Sequence, residues 1–137
     1  MKIGIVELGG DLGIVFQKAV GPRIETSEFQ TKKALDLFDV LAYARKMINS
    51  DQLVIIVRLR EEDKDLNNIF YEGLAGLEAE TGKNIFKYIY KEDDDVEAGV
   101  KELAETFFNS LFHPERLVKK EEEPEEGIMP RGDDFGP

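Results

Sequence analysis

Two arginines one residue apart, Arg58 and Arg60, follow directly on the apolar run Leu53-Val54-Ile55-Ile56-Val57. A guanidinium is a planar fork of donors, and at the carboxyl end of a buried strand such a pair could clamp a phosphate or a carboxylate. Ion pairing with Glu61, Glu62 or a neighbour's acids is the other reading of them. Gly9-Gly10-Asp11-Leu12-Gly13 stands at a first strand-to-helix turn, where doubly wound folds bind phosphates. Its spacing is neither the dinucleotide fingerprint nor the P-loop, which leaves a tight turn as its plain role. His113 is the only histidine and there is no cysteine. A disulfide framework and a thiolate nucleophile are thereby excluded, and without a second histidine a tight transition-metal site has little support. His113, just before Pro114, reads as a surface or capping residue. Asp93-Asp94-Asp95 lacks the alternating ligands and glycine of a calcium loop and reads as charge at a helix start.

These residues need elements to hold them. Ile3-Gly4-Ile5-Val6 reads as a buried strand broken by Gly9-Gly10, followed by a helix over 12–20 that Asp11 caps and Gly21-Pro22 ends. Residues 23–29 have the length and polarity of an edge strand. From Thr31 the pattern turns helical, with Ala34, Leu37, Phe38, Leu41, Ala44 and Ile48 on one face. Leu35, Val40 and Met47 fall off that face, so this helix should pack against two things, the sheet and another subunit. Residues 52–57 do not alternate, as in a central parallel strand covered on both sides. A helix with Ile69, Phe70, Leu74 and Leu77 inward ends near Thr81-Gly82, and residues 85–90 form an alternating edge strand. The last helix carries Val96, Val100, Leu103, Ala104, Phe107 and Leu111 in one stripe.

Strand and helix thus alternate four times, which predicts an α/β fold: a flavodoxin-like three-layer sandwich with a four-stranded parallel sheet and right-handed crossovers. The 137 residues suit one domain over 1–118, followed by an acidic tail over 119–137 that cannot build a core of its own. Lys plus Arg number 18 against 29 Asp plus Glu, and the net charge of -11 opposes binding to nucleic acid. No leader pattern opens the chain and no apolar run nears the ~20 residues a bilayer requires, so a soluble, cytoplasmic protein without a membrane partner is expected.

Several stretches carry a likeness. Leu111-Phe112-His113-Pro114-Glu115-Arg116-Leu117-Val118-Lys119 follows the last helix, and Tyr71-Glu72-Gly73-Leu74-Ala75-Gly76-Leu77 lies in the third. Asp36-Leu37 stands fifteen residues before Asp51, and the chain closes on Asp133-Asp134-Phe135-Gly136-Pro137. Together these resemble the archaeal riboflavin synthases, relatives of lumazine synthase, over nearly the whole chain. That family writes His-Glu-Ala-Ser-x-Gly-Leu where Tyr71 to Leu77 stand. It also has a Val-Pro-Gly turn in place of Thr31-Lys32-Lys33, Asp-Thr-Thr-Phe in place of Glu7-Leu8-Gly9-Gly10, and a Gly-Met-Pro-Gly turn after the third strand in place of Arg58-Leu59-Arg60.

The resemblance implies the lumazine synthase fold, a homopentamer with sites between subunits, and dismutation of two 6,7-dimethyl-8-ribityllumazine molecules to riboflavin and a pyrimidine. No redox or metal cofactor is implied. The chemistry needs a base for the acidic C7 methyl and two rings held face to face. On this likeness Tyr71 and Glu72 are the candidate catalytic residues, and Glu7, Gly9, Lys33, Arg58 and Arg60 the candidate substrate-binding ones. A phenol titrating near ~10 replaces the family's histidine, which leaves Tyr71 a stacking or hydrogen-bonding role and Glu72 the proton-accepting one. Helix packing is the other reading of Tyr71. A noncatalytic paralogue that keeps the fold and assembly while binding another ligand or a protein partner is the alternative function. A phosphate-accepting receiver domain would need an aspartate where Arg58 stands.

Overall fold

The apolar runs pair side by side into one parallel sheet of order β2-β1-β3-β4. The strands are β1 Lys2–Leu8, β2 Glu28–Lys33, β3 Gln52–Arg58 and β4 Phe86–Tyr90. Each is followed by a helix: α1 Leu12–Val20, α2 Leu37–Met47, α3 Lys64–Thr81 and α4 Val96–Phe112. This is the α/β arrangement that the alternation predicts, a four-stranded parallel sheet flanked by helices as in a flavodoxin-like three-layer sandwich. The computed structural model describes residues 1–92 and 94–115. Asp93, the segment 116–119 of the quoted likeness, the acidic tail and its closing residues lie outside the described residues.

Both central strands are buried over five consecutive positions, 3–7 in β1 and 53–57 in β3, because helices cover both faces. Parallel register puts Glu7 beside Ile56 and Ile56 beside Tyr88, so these three share a face with Ile5, Val54 and Phe86. On that face Gly13 of α1 sits against Glu7, and Gly99 of α4 lies so close to the Tyr88 ring that a Cβ there would overlap it. The other face carries Val6, Leu53, Ile55 and Val57, which pack on Leu37, Val40 and Ala44 of α2 and on Phe70, Leu74 and Leu77 of α3. Gly4 lets α2 approach this face, since a Cβ there would stand 2.8 Å from Met47 Cε.

Residues Met1–Ala104 form one compact unit and a second begins at Glu105. In the second, the Phe108 ring lies 4.9 Å from that of Phe112 and 5.9 Å from His113, whose Nδ1 is 3.5 Å from a Glu115 carboxylate oxygen.

Three expectations about the elements change. The second strand is not 23–29: Gly21–Arg23 is a 3₁₀ turn, and β2 takes in Thr31-Lys32-Lys33, read from sequence as the start of a helix. Pairing with β1 sets this boundary, from Lys2 opposite Glu28 to Glu7 opposite Lys33, and the Ala34 N–H donates to the Glu7 carbonyl at 2.8 Å. Consequently α2 starts at Leu37, where the Asp36 carboxylate accepts from the Asp39 N–H at 2.8 Å and the Asp39 carboxylate accepts from the Leu35 N–H at 2.9 Å. That start fixes the buried stripe as Leu37, Val40, Ala44 and Met47, and leaves Phe38 58% exposed. Ile69, expected inward, is 49% exposed because Phe70, Leu74 and Leu77 already fill the sheet-facing side of α3.

Candidate functional site

The order β2-β1-β3-β4 makes the chain leave β1 in one direction and β3 in the other, and ligands of open α/β sheets bind at such a switch point, outside the carboxyl ends of the strands. A cleft of about 340 Å³ lies there, walled by Leu8 and Gly9 after β1, Leu35 to Leu37 before α2, Arg58 to Arg60 after β3, and Asp63, Leu66 and Asn67 at the start of α3. A second cleft of about 290 Å³ is formed by Arg58 to Glu62 with Lys91, Glu92 and Asp94. Both arginines belong to both clefts.

Gly9 has φ +103°, a left-handed conformation that a side chain strains. A Cβ on it would stand 2.7 Å from Arg58 Cβ and 3.1 Å from Arg58 Nε, so the glycine is what lets the Arg58 stem lie across the turn. Arg58 is the register partner of Tyr90, and the Tyr90 hydroxyl reaches the vicinity of Gly10. Burial raises the Tyr90 phenol pKa, which the charge of Arg58 opposes and that of Glu7 reinforces.

The Arg60 backbone is held from α3. Its carbonyl accepts from Asn67 Nδ2 at 2.8 Å and from the Asp63 N–H at 3.2 Å. Asn67 Oδ1 is buried and has no hydrogen-bond partner. Among the described residues neither guanidinium forms an ion pair or a hydrogen bond. Glu61, a partner considered from sequence, lies instead 3.8 Å from Lys91 Nζ.

Glu7 and Lys33 belong to a neighbouring cluster. Glu7 is only 3% exposed, and its Oε1 accepts from the Gly13 N–H at 2.8 Å. It therefore caps α1 from the strand, while Asp11, at the N-cap position, makes no side-chain capping bond and pairs with Lys33. The hydrogen bond and charge of Asp11 raise the Lys33 pKa, with Glu7 adding to the effect and burial opposing it. Tyr71 and Glu72 lie on the exposed side of α3, with the Tyr71 ring 6.1 Å from that of Phe70, and neither is among the residues walling the two clefts.

Of the sequence-predicted site residues, the fold brings together Gly9, Arg58 and Arg60. It places Glu7 and Lys33 beside them at the same sheet edge, and Tyr71 and Glu72 elsewhere. Asp63, Asn67 and Tyr90 escaped the sequence reading as site residues. For Tyr90 a signal existed, since it ends its strand as Arg58 ends β3; for Asn67 none did, because its neighbours are set by the turn after Arg60. Among the described residues no group of three or more His, Cys, Asp or Glu side chains is placed to hold a metal ion, and no helix is long and apolar enough to cross a membrane. No protein-family model matches the chain, and a search of curated proteins finds no match.

Proposed function

We propose that this chain is a riboflavin synthase-like protein that receives 6,7-dimethyl-8-ribityllumazine in the cleft outside β1 and β3. One observation carries the reading: the end of β1 and the end of β3, two of the stretches that stand in place of the family's site loops, converge on a single cleft, which residues 35–37 before α2 also wall. Leu35, 90% exposed at its rim, offers an apolar contact for a heteroaromatic ring, and Asn67 Oδ1 offers an acceptor for a ribityl hydroxyl.

In this reading the chain acts as a homopentamer with sites between subunits. Exposed apolar side chains on α2 and α3 (Phe38, Ile69 and Tyr71) support an assembly that covers them. The neighbouring copy brings its Tyr71 and Glu72 to the cleft, where Glu72 takes the C7 methyl proton and Tyr71 stacks on the ring. Asp36 and Asp63 are the carboxylates that the cleft's own wall supplies as alternative proton acceptors.

A second reading, a noncatalytic relative that keeps the fold and binds a different ligand or partner, is favoured by the distance in role between Tyr71-Glu72, on the exposed side of α3, and the cleft of their own chain. Incubation of the purified protein with the lumazine, followed by chromatography against a no-protein control, separates the two. Riboflavin above the control supports the synthase. Saturable lumazine binding without product supports a noncatalytic binder, and neither product nor binding removes the lumazine from both readings.

A further inference from the structure

We infer that Arg58 and Arg60 form an oxyanion subsite, so that the switch-point cleft also takes a ligand carrying a phosphate or carboxylate group alongside a hydroxyl or N–H group that Asn67 Oδ1 accepts from. This rests on the reading of that cleft as the ligand site and not on the identity of the lumazine, which has no such anionic group.

The first observation is one of charge. The chain carries 29 acidic residues against 18 basic ones, so an arginine near the surface has many carboxylates to pair with. Yet neither guanidinium is paired among the described residues, although Glu61 and Glu62 follow immediately in the chain. Of the nearby acids, Glu61 pairs with Lys91, Asp36 accepts from the Asp39 amide, Glu7 from the Gly13 amide and Asp94 from the Lys91 amide, while Glu62 and Glu92 wall the second cleft without pairing with either arginine. In the first cleft the two arginines stand with two carboxylates, Asp36 and Asp63, and pair with neither.

The second observation is that the arginines are held. Arg58 extends over Gly9, which spares it a clash, and stands in register beside Tyr90. The carbonyl of Arg60 is tied to both Asp63 and Asn67. A fork anchored at its base loses less freedom on binding an oxyanion than one swinging in solvent. The third observation is independent of charge: Asn67 Nδ2 donates to the Arg60 carbonyl, and Asn67 Oδ1 is left as a buried, unmatched acceptor on a residue of the same wall. An unmatched buried acceptor calls for a donor, and a polyol or N–H group next to the anion supplies it.

The test is calorimetric titration of the full chain with three probes: inorganic phosphate, riboflavin and riboflavin 5′-phosphate. The phosphate ester is expected to bind about tenfold or more tightly than riboflavin, by the strength of charge-assisted hydrogen bonds, and inorganic phosphate is expected to compete with it. Arg58→Gln and Arg60→Gln should each remove most of that advantage. Arg45→Gln, which deletes an exposed arginine paired with Glu80 on α2, should leave it unchanged. Both cleft variants alter exposed side chains, and unchanged circular dichroism and melting will show that they fold. Equal affinity for ester and riboflavin, survival of the advantage in the Arg58→Gln/Arg60→Gln double variant, or no binding of inorganic phosphate would each overturn the inference. If riboflavin and lumazine bind but the ester gains nothing, the subsite falls and the proposed function stands. If phosphate binds in an Arg58-dependent way while lumazine neither binds nor reacts, the reverse holds.

Discussion

Glu7 shows how one side chain does work that the local sequence assigns to another. Asp11 occupies the position of a capping residue for α1, but the Gly13 amide is satisfied from the strand by Glu7, and Asp11 turns outward to Lys33. Gly13 is small enough to admit that carboxylate, since a Cβ would stand 3.3 Å from Glu7 Oε2. Glu7→Ala should therefore cost about 1–3 kcal/mol in denaturant unfolding by leaving a buried amide unmatched. Glu7→Gln, which keeps an acceptor oxygen, should retain most of that stability; equal losses in the two variants would mean that charge, not the hydrogen bond, carries the effect. At Gly9 both the left-handed backbone and the contact with Arg58 oppose any side chain. Gly9→Ala should lower stability by about 1–3 kcal/mol and weaken any ligand that depends on Arg58, as read by denaturation and by phosphate titration.

Among the elements, the docking of α4 on β4 depends on Gly99 against the Tyr88 ring. Gly99→Ala should destabilise the protein, and Tyr88→Ala in the same chain should recover part of that loss because it removes the obstacle; a simple sum of the two losses would refute close packing there. The adjacent Tyr90, buried at the end of β4 and stacked at 5.3 Å on Tyr88, has a phenol pKa raised above its ordinary value of 10.0, chiefly by burial. The native state then binds more protons than the unfolded one above that value. Stability should be insensitive to this group below pH 10.0 and should fall as pH rises through the folded pKa. Tyr90→Phe should flatten that alkaline decline in melting temperature, while leaving melting at neutral pH the less affected.

For the whole molecule, the opposition is between apolar surface and charge. Leu35, Phe38, Ile69 and Tyr71 expose 90%, 58%, 49% and 45% of their surface, which favours self-association, while a net charge of -11 opposes it. Screening shortens the reach of that repulsion to about 8 Å at physiological ionic strength. Light scattering should accordingly give a mass above that of the monomer that rises with salt, and Phe38→Glu should return it to the monomer with circular dichroism unchanged. A monomer at every salt concentration would remove the site between subunits from the proposed function.

The sequence by itself determined the alternation of four strands and four helices, the burial of β1, the central place of β3 and the edge character of β4. Those features follow from local apolar patterning, which each segment carries within itself: Leu53 to Val57 is apolar without alternation whatever surrounds it. The stop at Gly82, with φ +70°, was legible for the same reason. What only the tertiary structure decided depends on partners distant in the chain. The place of β2 is set by its register with β1, and the buried side of α2 by a helix start that this register displaces to Leu37. The cleft itself, where Gly9, Arg58 and Asn67 meet, exists because β1 and β3 lie side by side and send their following turns to opposite sides of the switch point, a juxtaposition that no spacing along the chain encodes.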